Sequence, residues 1–105
     1  MKLPKRLQNL PAIPKGRHYL LMIFGYWAKG ETVEKAVKNL KDAGGRNLSL
    51  VPWCNLTMIV YHVQPDAYVD GMGSICWGGD EDYEKTRSIK IAELKGNTRT
   101  LFVAA

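Results

Sequence analysis

A chain of 105 residues with 46% hydrophobic side chains has the length of one domain and enough apolar material for a core. That composition excludes an intrinsically disordered protein, and two cysteines, Cys54 and Cys76, exclude a disulfide scaffold. The net charge is +5, a balance that favours anionic partners without specifying a fold.

Residues 1–16 read as a basic extended arm, because Pro4, Pro11 and Pro14 forbid one continuous helix. Residues 5–10 could still make a single turn, and Leu3, Leu7, Leu10 and Ile13 could pin the arm to the body. Residues 17–105 form the predicted domain. The longest apolar run, residues 19–28, is about half of the ~20 residues that a membrane span needs, so no membrane partner is expected. No small-residue cleavage site follows an apolar stretch near the N-terminus. The expectation is therefore a cytoplasmic protein with reduced cysteines.

Residues 18–28 carry apolar side chains on both alternating faces and read as one central, doubly covered strand. Lys29-Gly30-Glu31 breaks the run. An amphipathic helix follows, with Val33, Ala36, Val37, Leu40 and Ala43 as its apolar stripe. Thr32 is the predicted N-cap, and Gly44-Gly45 the left-handed stop. Val33, Val37 and Leu40 should pack on strands containing Leu21, Ile23, Ile59 and Tyr61.

Beyond the helix, residues 47–51 read as a strand and residues 56–63 as a stronger one. Asp70-Gly71-Met72-Gly73 is a hairpin turn between residues 67–69 and residues 74–77. Residues 86–94 alternate and are read as a strand, with a helix over residues 81–95 as the alternative; Gly96-Asn97, a hairpin signal, favours the strand and would turn the chain into a last strand over residues 98–103. The predicted class is α+β: one helix packed on a mainly antiparallel sheet, in the order β-α-β-β-β-β-β-β after the arm.

Residues 30–43, Gly30-Glu31-Thr32 followed by Glu34, Ala36 and Asn39, resemble the helix-start segment of HicB-type antitoxins. In place of that family's proline- and glycine-bearing lead-in stands Phe24-Gly25-Tyr26-Trp27-Ala28, and only one strand is readable upstream. The resemblance implies a toxin-neutralising protein with a dsRNA-binding-like fold.

Charge is unevenly placed along the chain. Residues 1–18 hold Lys2, Lys5, Arg6, Lys15 and Arg17 with no carboxylate. Residues 66–84 hold Asp66, Asp70, Asp80, Glu81, Asp82 and Glu84 with no basic residue. The five arm cations, joined by Lys35, Lys38 and Lys41 of the helix, are candidate phosphate contacts. Trp27, Trp53, Trp77 and Tyr68 are candidate base-stacking residues if one sheet face exposes them, although core packing explains most of the aromatics more cheaply.

Catalytic signals are weak. Cys54, His62 and Asp66 are the residue types of a nucleophile, base and orienter, but structural roles suit them better. His18, His62, Cys54 and Cys76 lack zinc-ligand spacing, the acidic run lacks a calcium-loop pattern, and no phosphate-cradling glycine motif occurs, so no metal or cofactor is expected. The reading is a non-enzymatic binding module, such as an accessory protein of a mobile element or phage, binding nucleic acid through its basic arm. The alternatives are a protein-binding inhibitor of antitoxin type, and then a small-molecule-binding domain or unfamiliar enzyme. A homodimer could form by charge pairing of arm and acidic loop or through the terminal strand's edge.

Overall fold

The computed structural model describes residues 5–8, 10, 12–48, 58–94 and 101–102. A single helical turn, α1 (Lys5–Gln8), opens the described chain. A turn over residues 14–17, with Gly16 at φ 84, then leads into β1 (His18–Ile23). Next come β2 (Tyr26–Gly30), α2 (Val33–Gly44) and β3 (Met58–Val63). β4 (Tyr68–Val69), β5 (Ser74–Trp77), β6 (Arg87–Lys90) and β7 (Leu101–Phe102) complete the order.

The class is α+β, as the periodicities predict. Among the described residues two sheets form, ordered β2-β1-β3-β7 and β4-β5-β6, and their pairings are antiparallel except β3 with β7, which is parallel.

The expected single strand over residues 18–28 is a hairpin. Ile23 pairs with Tyr26 across a two-residue turn in which Phe24 and Gly25 have φ of 50 and 81. Both central residues of such a turn must adopt positive φ. Gly25 does so freely, whereas Phe24 does so with its ring 64% exposed. Two strands therefore precede the helix. The predicted strand over residues 47–51 is also displaced: residues 45–47 form a 3-10 turn, Leu48 is buried behind it, and residues 49–51 lie outside the described residues. Residues 86–94 divide into β6 and a 3-10 turn over residues 91–94.

Alternation along β1 sorts the molecule into layers. Tyr19, Leu21 and Ile23 face α2, where Val33, Ala36, Val37 and Leu40 meet them with Ile59. Leu20 faces the opposite side and packs with Val60, Val63, Ala67, Ile75 and Trp77, so the small sheet covers the other face. The arm belongs to the helical side. Leu7 is buried in the α2 core, Leu10 and Ile13 pack against it, and the Tyr61 hydroxyl donates to the Ala12 carbonyl.

Capping follows expectation at the helix start. The Thr32 hydroxyl accepts the Lys35 backbone N–H at 3.1 Å, and a Lys35–Glu31 pair at 3.6 Å adds a weak exposed contact. Gly45, at φ 51, donates its N–H to the Lys41 carbonyl at the far end. The stripe differs at one position. Ala43 is exposed and Gly44 is buried, because a 3.6-residue period from Val33 through Leu40 returns at residue 44.

Candidate nucleic-acid interface

The candidate phosphate contacts separate by environment. Lys15 is exposed in the turn ahead of β1, whereas Arg17 is half-buried. One Arg17 nitrogen, Nη1, is buried without a hydrogen-bond acceptor among the described residues. Lys5 and Arg6 lie on α1, and Lys2 lies outside the described residues. On α2, Lys35 and Lys38 are exposed and Lys41 is half-buried. A groove of about 470 Å³ runs beside Lys15, Arg17, His18 and Glu31. A second, of about 440 Å³, lies between the arm and the start of α2. Lys29 is engaged elsewhere. Its ammonium donates to the Pro65 carbonyl, tying β2 to the turn that leads into the small sheet, and burial lowers its pKa against the opposing pull of Asp66.

The acidic segment also divides. Asp66 Oδ2 accepts the Gly78 N–H at 2.6 Å. Asp70 Oδ1 accepts the N–H groups of Met72 and Ser74, both at 2.9 Å, which shapes the predicted hairpin turn and holds its carboxyl below the usual range. These two aspartates are turn-formers. The exposed acidic surface is Asp80, Glu81, Asp82 and Glu84; Asp82 accepts the Glu84 N–H at 3.0 Å and meets Lys85 at 3.8 Å, and Tyr83 is 92% exposed.

Among the described residues the aromatic candidates do not share an exposed face. Trp77 is buried in the core between the sheets, Trp27 is half-buried against that same core, and Tyr68 is exposed on β4. Trp53 lies outside the described residues. The Cys76 thiol, buried and 3.6 Å from Asp70 Oδ2, is pushed up by burial and then by that carboxylate, which makes it a poor nucleophile. Cys54 lies outside the described residues. Asp66 is committed to Gly78, and His62 is buried in β3. Among the described residues no group of three or more His, Cys, Asp or Glu side chains could hold a metal ion, and no helix is long and apolar enough to cross a membrane.

His62 titrates against the fold. Burial first, and then the Arg17 charge, lower its pKa below 6.5. The unfolded chain therefore binds this proton more readily, so stability is full above about pH 6.5 and falls as pH drops toward the folded pKa. A melting temperature that declines between about pH 7 and pH 5, with a smaller decline in His62→Gln, is the expected result. Thermal scans of both proteins across that range check it.

No family model, no curated protein and no solved structure matches this chain.

Proposed function

We propose that this chain is a small non-enzymatic binding module whose helical layer docks on the phosphate backbone of a nucleic acid. The observation that carries this reading is the separation of charge between the two outer layers. Residues 5–48, which build the arm, the first hairpin and α2, contain nine basic residues and three carboxylates. Residues 64–94, which build the small sheet and its loops, contain three basic residues and seven carboxylates. A surface of one sign raises the local concentration of an oppositely charged polymer and orients it on approach. Packing of Trp77 and Trp27 between the sheets favours backbone contact over base stacking, and hence tolerance of sequence.

Binding to a panel of single-stranded and duplex oligonucleotides at two salt concentrations tests the reading. Log K should fall by about 0.7–0.9 per neutralised phosphate for each tenfold rise in salt. Absence of binding at low salt would remove nucleic acid as the partner. Because Leu7 belongs to the core, point substitutions are the proper variants, not removal of residues 1–16.

The exposed ring of Tyr83 beside Asp80 and Glu81 favours a second reading, an inhibitor of antitoxin type that meets a basic protein through the acidic loop. Binding would then be lost on reversing Asp80 and Glu81, and would be indifferent to Lys15 and Lys38.

A further inference from the structure

Trp77 closes β5, and Arg87 stands directly opposite it in the β5–β6 register. Cross-strand partners project to the same face of a sheet. Two residues along, the pair Ile75 and Ile89 packs into the core between the sheets, so Arg87 stands on that face at the rim of the layer, with its side chain exposed. Among the described residues no carboxylate meets its guanidinium. Trp77 is 9% exposed, and its indole Nε1–H is buried with no hydrogen-bond acceptor among the described residues. A buried donor left unmade is destabilising, and such groups mark places where an acceptor is missing.

Both side chains line one cleft of about 490 Å³, shared with Gln64, Glu84, Lys85 and Thr86. That volume lies in the range of small-molecule sites. The lining combines two cations, one carboxylate and two neutral hydrogen-bonding side chains with Trp77. We propose that this cleft binds a small molecule through a single oxyanion head, a carboxylate or phosphate, with Arg87 and Lys85 supplying charge and the Trp77 indole a directional hydrogen bond. Glu84 on the same rim leaves one net positive charge, which suits a singly charged head, while the net negative charge of residues 64–94 around it disfavours a polyanion. The site lies on the small sheet, apart from the basic helical layer, and does not depend on nucleic-acid binding.

The indole N–H is its own reporter. In a nitrogen-resolved proton NMR spectrum of the full chain each tryptophan gives a separate indole signal, and loss of one in Trp77→Phe assigns it. Should that variant fail to fold, assignment spectra of the unmodified chain supply the same identification. Titration with acetate and with inorganic phosphate, at constant ionic strength, should move the Trp77 signal saturably while the Trp27 signal stays in place. Arg87→Gln should weaken this response about tenfold, the weight of one charge-assisted hydrogen bond. Lys38→Gln, on the opposite layer, should leave it unchanged. A Trp77 signal that does not move with either anion, or moves equally in Arg87→Gln, would overturn the proposal. A short duplex oligonucleotide should leave the signal in place; a shift on adding it would assign the oxyanion to a nucleic-acid backbone and overturn the small-molecule assignment.

Discussion

Leu40→Ala is expected to cost about 2–5 kcal/mol of unfolding free energy, read from denaturant melts. Leu40 is fully buried and stands at the centre of the α2 stripe, between Val37 and Gly44, against the face of β1 that carries Leu21 and Ile23. Truncation removes its transfer energy and leaves a cavity that a sheet on one side and a helix on the other cannot close. Lys38→Ala, two residues away and exposed, should change stability by less than about 0.5 kcal/mol. Equal effects would mean that α2 presents a different face to the sheet.

Gly30→Ala should be at least as informative, because its cost comes from crowding instead of loss. A Cβ built on Gly30 would lie 2.3 Å from the Ala36 backbone nitrogen and 2.7 Å from the Lys35 carbonyl carbon. These are backbone atoms of the first turns of α2, so no rotamer change relieves the overlap; the helix must shift or β2 must bend. Overpacking of this kind costs about 1–3 kcal/mol, and a backbone obstacle places Gly30 at the upper end. Gly71→Ala is the control, since nothing lies within 4 Å of its Cβ position. It should be close to neutral. A neutral Gly30→Ala would mean that β2 and α2 do not approach as closely as described here.

The same approach explains which parts of the fold are legible in the amino-acid order. α2 is legible because its stripe, its Thr32 cap and its Gly45 stop all agree. β3 and the hairpin around Asp70 are legible from β-branched content and turn chemistry. The first hairpin is hidden because Phe24 occupies a turn position that usually takes Asn or Asp, so the apolar run appears continuous. Gly25 inside that run was the available signal. The parallel β3–β7 pairing is a long-range choice that no local pattern encodes.

Charge asymmetry is visible along the chain, but its meaning is not. Only the topology places the arm and α2 on one face of the large sheet and the small sheet on the other. Asp66 and Asp70, which look like part of an acidic loop, are consumed by Gly78, Met72 and Ser74. Arg87 is an exposed cation whose place opposite Trp77 only the register reveals.

The most direct test of the two-layer account compares two double charge reversals with identical net charge. Lys15→Glu with Lys38→Glu alters the helical layer, and Lys85→Glu with Lys90→Glu alters the small-sheet layer; all four side chains are exposed. Duplex affinity is measured for each across a salt series. The helical-layer variant should lose most of the binding, with the slope of log K against log salt shallower by about 0.9 for each phosphate contact removed. The small-sheet variant should bind close to the unmodified protein. Equal loss in both would show that overall charge, and not the basic helical face, governs binding, and would contradict the account.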